Sequence, residues 1–474
     1  MRHGADDVAE VDEVDAQAEP DKRFVLRSKK GITLLIVAVV VVIALVLSIV
    51  YLVRANADDG PDAVAVTVPV ALSDVDLPSG SSIGVVLTSG GDTTEGSQWN
   101  QAAQGAVVAQ QRLELGGNDV TFMTENDAGS SEGSAEAVQN LIDQGVAGII
   151  YASSGNHVAD GLAVAEDAEV PVILPYEAAG EDATNQWSLA LGDDEAATTL
   201  AAEVGNYERP LHINAGAPLP DEVAVSDEVE FTGETDTTAF GEEMALRTGS
   251  DPFENGAYTG GGEDEQSPAP VAENPADVVV VSGHPVLQAR AVFALQAGNV
   301  SVPVVLTQDA VSPSFDQALL EQGGTVSSSL RTVGASWDDG AALGRSGQSR
   351  AMSAFLTANR QIADNESLQN LTEDAPLAES AAVTDVRSHD AVLALSNALS
   401  DAGNTDPANV AESLSELELA AGDGIAGPQL DFANAQAMTS DATVLHASSQ
   451  QLGLRPTVGE YSDVLVWISQ PEEN

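Results

Sequence analysis

The sequence predicts a doubly wound α/β protein of two lobes, held outside the cell on a single N-terminal membrane helix. Three features carry that expectation. They are an uncharged apolar run from Ile32 to Val53, a strand–helix alternation that begins at Ser82, and an acidic, weakly patterned stretch over 216–276 that splits the alternation into two blocks.

The run from Ile32 to Val53 spans 22 residues without a charge, enough to cross a hydrocarbon core of roughly 30 Å as a helix. Lys22, Arg23, Arg27, Lys29 and Lys30 crowd its N-terminal side, and Arg54 alone stands just past the other end. That asymmetry places residues 1–31 in the cytoplasm and everything after Arg54 outside. A cleaved signal peptide is the competing reading, because Ala55-Asn56-Ala57 has a small-x-small form. Signal-peptide apolar regions span roughly 7–15 residues, so an uncleaved anchor is expected. A buried core helix would keep a polar stripe, and no cysteine is present to carry a lipid. The acidic, Ala-rich start has the composition of a disordered tail. Residues 54–80, with Asp58-Asp59-Gly60-Pro61 and Pro78-Ser79-Gly80, form a tether.

The alternation follows in order. Ile83 to Leu87 is a short apolar run of the kind buried on both faces of a parallel sheet. A helix over Gln98–Leu115 places Trp99, Ala102, Ala103, Ala106 and Val107 at helical spacing. Val120–Thr124 is the second strand, and Ser131–Asp143 a helix stopped by Gly145. Ala147–Tyr151 is the third strand, ending in Ser153-Ser154-Gly155, and a helix then runs to about Asp167. Val170–Leu174 is the fourth strand. Such alternation builds a doubly wound sheet. The second block comprises a helix over Asp193–Val204 and strands near Leu211–Asn214, Asp277–Val281 and Val302–Leu306. It also holds helices over Phe240–Arg247 and Val286–Ala297. Helices around Ala341–Asn359 and Asp390–Leu399 and a hairpin near Gly427–Phe432 complete the pattern.

The charge is −57, and every lysine precedes the apolar run. Beyond Arg54 there are ten Arg, no Lys and 66 Asp plus Glu, so the external part carries about −56. Such a surface repels nucleic acid, which is excluded as a partner, along with anionic lipid. A solvated acidic coat explains the charge more simply than a specific cation site. Without cysteine there is no disulfide framework, so the external part depends on burying apolar surface. With 43% hydrophobic but only 4% aromatic residues, its core must be built from Ala, Val, Leu and Ile. No nucleophile elbow, His-Glu-x-x-His or phosphate loop is present, and the six histidines have no zinc spacing, so neither an enzyme nor a metal or cofactor site is expected.

Several segments resemble the type I periplasmic binding proteins, specifically the leucine/isoleucine/valine-binding branch, over nearly all of residues 82–470. Ser82-Ile83-Gly84-Val85-Val86-Leu87 is similar to the opening strand of that family, and Ala102-Ala103-Gln104-Gly105-Ala106 to its first helix. Gln139 to Ile142 followed by Val146 to Ile150, and then Glu169-Val170-Pro171-Val172-Ile173, are similar to its next strands. His389-Asp390-Ala391-Val392 stands where the family has Tyr-Asp-Ala-Val. Gly424 with Gly427 to Phe432 resembles a late hairpin. The resemblance implies a two-lobed clamshell that closes on a small solute and delivers it to an ABC importer. It further implies a first lobe of about 81–190 and 332–455, and a second of about 191–331 and 456–474.

In doubly wound sheets, ligands sit beyond the carboxyl ends of the strands. Here those ends carry Thr88 and Ser89, then Ser153, Ser154, Gly155 and Asn156, then Tyr176 and Glu177. On the second lobe they carry Asn214, His284 and Thr307 to Asp309. The Ser153–Asn156 loop offers free N–H groups and a helix dipole to an anionic group; the resemblance implies a ligand α-carboxylate there, and a plain N-cap is the alternative. Glu177 and Asp309 are placed to hold an ammonium across the cleft, or are two more surface acids. Tyr176 walls a ligand or covers the sheet end, and His284 lines the second lobe or bonds within its own loop. Departures from the family stand at Pro175-Tyr176-Glu177-Ala178 and at Asn214-Ala215-Gly216-Ala217-Pro218.

The expected function is a membrane-tethered extracellular receptor for an amino acid-like solute, working with an ABC permease. The alternative is a binding-protein fold without a small ligand that serves as an interaction or sensing domain, with an envelope protein as partner.

Overall fold

The computed structural model describes residues 70–91, 93–180, 183–250, 273–327, 329–335, 337–450, 452–456 and 465–469. The tail, the span expected at 32–53 and the tether as far as residue 69 lie outside the described residues. Among the described residues, no helix is long and apolar enough to cross a membrane.

The first lobe is built on five parallel strands: β1 (Ser82–Leu87), β2 (Thr121–Asn126), β3 (Ile149–Tyr151), β4 (Val172–Leu174) and β5 (Gln186–Ser188). Their order is β2-β1-β3-β4-β5, with Gly84 beside both Met123 and Ile149. All six residues of β1 are buried, as a strand covered on both faces requires. Helices α1 (Gly105–Leu115), α2 (Ser131–Gln144) and α3 (Val158–Asp167) connect the strands. The helix expected from Gln98 starts later, because Gly96 takes a left-handed turn and only 3-10 turns precede Gly105. Ser130 caps α2 through Gly133 N–H, and Gly145 ends it at φ 78°.

The second lobe repeats this topology. Strands β6 (Pro210–Ala215), β7 (Asp227–Glu230), β8 (Val278–Gly283), β9 (Val304–Leu306) and β10 (Leu330–Ala335) take the parallel order β7-β6-β8-β9-β10. Helices α4 (Asp193–Val204), α5 (Thr237–Arg247), α6 (Pro285–Ala297) and α7 (Pro313–Glu321) accompany them. The chain then returns to the first lobe as α8 (Gly347–Ala363), α9 (Val386–Ala402), α10 (Pro407–Ser415) and a ribbon of β11 (Glu418–Leu419) and β12 (Leu430–Asp431). It crosses once more to add antiparallel β13 (Ala442–Ser448) and β14 (Val466–Ser469) beside β10.

This last crossing corrects the expected lobe boundaries. Residues 332–455 do not all belong to the first lobe: β10 runs to Ala335, and β13 pairs with it from Ala335–Ala442 to Arg331–His446. Neither β13 nor β14 was expected from the sequence. Their half-buried faces alternate weakly, which leaves little periodicity to detect.

A buried polar chain holds the first lobe together. Arg112 on α1 is 2% exposed. Its guanidinium donates to His389 Nε2 at 2.8 Å, to Val70 O at 2.9 Å and to Gly424 O at 3.1 Å. Because arginine can only donate, Nε2 accepts, and the His389 Nδ1–H donates to Asp390 Oδ1 at 2.7 Å. Asp390 also accepts Ala426 N–H and Gly427 N–H at 2.8 and 2.7 Å. Burial lowers the Arg112 pKa to about 10 against the pull of Asp390, and lowers His389 below the ordinary imidazole value. The guanidinium therefore stays charged and the imidazole neutral near pH 7. Replacing Arg112 by Ala removes the buried positive charge facing Asp390 and leaves His389 Nε2 without its donor, and breaking a buried charge network in this way costs about 3–5 kcal/mol. Urea unfolding of R112A is expected to show a loss of that order.

Candidate ligand-binding site

Each sheet changes winding direction between its first and third strands, and a crevice opens at such a point. In the first lobe, Thr88 and Ser153 end β1 and β3 at this switch, and both are fully buried. Thr88 Oγ1 donates to Asp127 Oδ1 at 2.6 Å, so Ser153 Oγ, 2.6 Å from Thr88 Oγ1, donates to it. Asp127 also accepts Gly129 N–H at 2.9 Å, Tyr151 Oη–H at 3.0 Å and His157 Nε2–H at 3.1 Å. Burial opposes the charged forms of both Asp127 and His157. Their bonds outweigh it, so Asp127 is held below the usual carboxylate range and His157 above the usual imidazole value. The hydroxyls of Thr88 and Ser153 are thus committed to the protein's own interior.

The rest of the loop is also engaged internally. Ser154 Oγ accepts Gln98 Nε2–H and Trp99 Nε1–H, each at 3.0 Å. Gly155 sits at φ 117°, and a Cβ there would collide with the Glu95 side chain. Its N–H donates to Glu177 Oε2 at 2.6 Å. The protein's own carboxylate therefore fills the place where an anionic group was expected. Asn156 and Ser89 are exposed, and the N–H of Ser89 bonds Asn126 Oδ1 at 2.8 Å.

Tyr176 and Asp309 meet across a cavity of about 340 Å³ lined by both lobes. Trp99 and Tyr176 stack at 4.6 Å, nearly parallel, on the first-lobe wall. The Arg387 guanidinium lies 4.9 Å from the Trp99 ring centre and 4.6 Å from that of Tyr176. Asp385, the N-cap of α9, fixes this group: it accepts Arg387 Nε–H at 2.7 Å and Tyr176 Oη–H at 3.0 Å. Trp337 and Trp467 line other parts of the cavity, with their indole N–H groups tied to Ala426 O and Ala310 O at 3.0 Å each.

At the second lobe's switch point, Gly283 sits at φ 121°, where a Cβ would strike Ala215 O. His284 caps α6 through Val286 N–H, and its ring lies beside Thr94 and Glu95 of the first lobe. Burial lowers its pKa. Further contact between the lobes comes from Ser314 Oγ–H to Gln98 O, at 3.5 Å. Burial, with Asp193 and Glu95 nearby, pushes Asp309 up to about 6. Asp316, also in the cavity wall, is pushed up to about 6 by burial against one bond from Leu465 N–H at 3.2 Å. Glu177 is likewise raised, by burial and by Asp193 and Asp309. Among the described residues, no group of three or more His, Asp or Glu is placed to hold a metal ion.

The structure thus brings Tyr176 and Asp309 to one cavity, and joins Glu177 to Gly155. Thr88 and Ser153 belong to the buried network instead. Residue-by-residue reading missed Asp127 and His157, which saturate those hydroxyls, and missed Asp385, Arg387, Asp316, Trp337 and Trp467. Scarcity was the available signal: the chain has four Trp, and three of them, Trp99, Trp337 and Trp467, line this cavity.

Two parallel sheets of the same order, three chain crossings and a cleft between the lobes define the type I periplasmic binding protein fold. Solved structures match it at low sequence identity. An isoleucine-bound branched-chain amino acid transporter substrate-binding protein, LivJ from Streptococcus pneumoniae, aligns at TM-score 0.56 and 16% identity, covering 77% of this chain and 95% of its own. A periplasmic binding protein type 1 from Bordetella pertussis aligns at 0.54 and 13%, covering 82% and 99%. A leucine-bound ABC transporter substrate-binding protein from Desulfitobacterium hafniense aligns at 0.50 and 12%, again over 82% and 99%. No family model matches the chain, and no curated protein matches it in sequence.

Two stability predictions follow from the site. Ser153→Ala removes a donor from a buried, saturated network, so it should destabilise the protein by about 1–3 kcal/mol, seen as a lower urea midpoint. Asp309 and Asp316 have folded pKa values of about 6 against an ordinary 3.8. Their contribution to stability is complete below the ordinary value and is lost as pH rises through about 6. Asp309→Asn or Asp316→Asn should therefore match the parent near pH 4 and exceed it near pH 8 by up to about 2–3 kcal/mol. Melting temperatures across that range are the check.

Proposed function

We propose that this protein is a membrane-tethered extracellular solute receptor, anchored by residues 32–53 with its N-terminus in the cytoplasm. The lobes close on a small organic solute and present it to an ABC importer. One observation carries this reading: a cavity of about 340 Å³ that neither lobe forms alone, walled by Trp99 and Tyr176 on one side and Asp309 on the other. That volume falls within the roughly 300–1,000 Å³ of small-molecule sites. Three crossings join the lobes, after β5, after β10 and before β13, a connectivity compatible with hinge closure. A ligand contacting both walls favours the closed form by its differential affinity for the two states. The solved structures with this fold are described as substrate-binding proteins of amino acid and ABC transporters, which supports the transport assignment.

A second reading is an envelope interaction or sensing domain without a small ligand. It is favoured by the Glu177 carboxylate on Gly155 N–H, which blocks the position where the carboxylate of an amino acid was expected. A thermal-shift panel of amino acids, amides, amines and small carboxylates on detergent-solubilised full-length protein separates the two. Any solute that binds only the native state must raise the melting temperature, by an amount that grows with the logarithm of its concentration above Kd. The receptor reading expects a concentration-dependent rise for at least one class; a flat response from folded protein supports the interaction domain.

A further inference from the structure

The cavity has a charge and wall chemistry of its own. Its two arginines are already neutralised: Arg387 Nε lies 2.7 Å from Asp385, and Arg455 Nε lies 2.6 Å from Asp339. Asp309 and Asp316 share the same lining and have no Lys or Arg partner among the described residues. Asp193 and Glu95 lie close enough to Asp309 to repel its charge. Ser312, 2% exposed and in the cavity lining, has an Oγ without a hydrogen-bond partner. An orphaned buried hydroxyl in a lining that also holds two carboxylates without a cationic partner is a costly arrangement. It points to a ligand with donors.

The backbone N–H groups that would receive a carboxylate are already taken. Gly155 N–H holds Glu177. At the start of α9, Arg387 N–H and Ser388 N–H hold Asp385 at 2.9 and 3.1 Å. The start of α7 has Pro313, which lacks an N–H, and carries Asp316 in its first turn. The walls, in contrast, suit a cation. The Trp99–Tyr176 stack already accepts one guanidinium within 5 Å of each ring centre, and Trp337 and Trp467 add aromatic surface. Cations over desolvated aromatic faces are attracted by the ring quadrupole.

We propose that the solute held between the lobes is an organic cation without a carboxylate, of the size of a small guanidinium compound or quaternary amine. Asp309 and Asp316 are its counter-ions, Ser312 Oγ accepts from its donors where it has them, and the tryptophans wall its carbon skeleton. The inference rests on the solute-receptor reading and narrows the chemical class of that same site.

The test is isothermal titration calorimetry of the full-length protein in detergent, at near-physiological salt and neutral pH. The probes are agmatine, choline, leucine, isoleucine and glutamate. Saturable binding of agmatine or choline is expected, weakened at least about tenfold in D309N and in D316N, as loss of a desolvated charge partner requires. Because both variants are expected to be at least as heat-stable as the parent near neutral pH, weaker binding cannot be ascribed to unfolding. Cation binding that is unchanged in both variants reflects the acidic exterior alone and overturns the inference. Tight binding of leucine, isoleucine or glutamate, with no cation binding, overturns the charge assignment but leaves the receptor reading standing. No heat with any probe overturns the inference, while the wider thermal-shift panel decides the receptor reading separately.

Discussion

The first lobe depends on one buried chain of polar contacts, Arg112 to His389 to Asp390. It ties α1, α9, the loop through Gly427 and the segment at Val70 in a place where none of these groups meets water. A buried guanidinium and carboxylate with an imidazole between them are costly to desolvate, and geometry this complete is what makes them tolerable. The consequence for the cavity lies two to four residues before His389. Fixing α9 fixes Val386 and its N-cap Asp385, and so the Arg387 guanidinium against the Trp99–Tyr176 stack. The wall of the cavity is thus an extension of the lobe's core, set by packing rather than by flexible loops.

The same logic explains why the Thr88 and Ser153 hydroxyls turn inward. Asp127 follows β2 and lies at the carboxyl end of the sheet, where an unpaired buried charge would be severely unfavourable. Thr88, Tyr151, His157 and the Gly129 N–H satisfy it completely. Ser153 completes the chain through Thr88. Once those hydroxyls serve Asp127, Ser154 Oγ is bonded to Gln98 and Trp99, and Glu177 takes the N–H of Gly155. The cavity lining accordingly omits the loop and is formed by the aromatic wall and the second lobe.

Much of the fold was legible because parallel strands buried on both faces leave unbroken apolar runs. Ile83–Leu87, Ile149–Tyr151 and Val278–Val281 are of this kind, and the helix stop at Gly145 and the N-cap at Ser130 are equally local signals. What was missed depends on long-range pairing. β13 and β14 are half-buried strands at one end of the sheet; the place of β13 is set by β10, more than a hundred residues earlier in the chain, and that of β14 by β13. The site was legible only in part, for a similar reason. Strand ends mark the crevice, so Tyr176 and Asp309 were placed at what proves to be a cavity lining, but no local pattern says whether a serine faces outward or toward an aspartate. Asp127 is separated from Ser153 by a helix and a strand, and although His157 follows Ser153 by only four residues, its partnership with Asp127 exists only in the folded sheet.

The acidic composition has two meanings in this molecule, and burial separates them. Exposed carboxylates are screened over roughly 8–10 Å at physiological ionic strength, so most of the charge after Arg54 costs little and specifies little. Asp309 and Asp316 differ because water does not reach them freely and no arginine is left to pair with them. An ionised carboxylate in such a place works against the folded state, which gains nothing from it while the cavity holds no cation. A residue that weakens the fold where a neutral isostere would relieve it is the kind of strain that binding sites retain. The surface charge is therefore a solvation property, whereas the two cavity aspartates are the part of the acidity on which the proposed cation site rests.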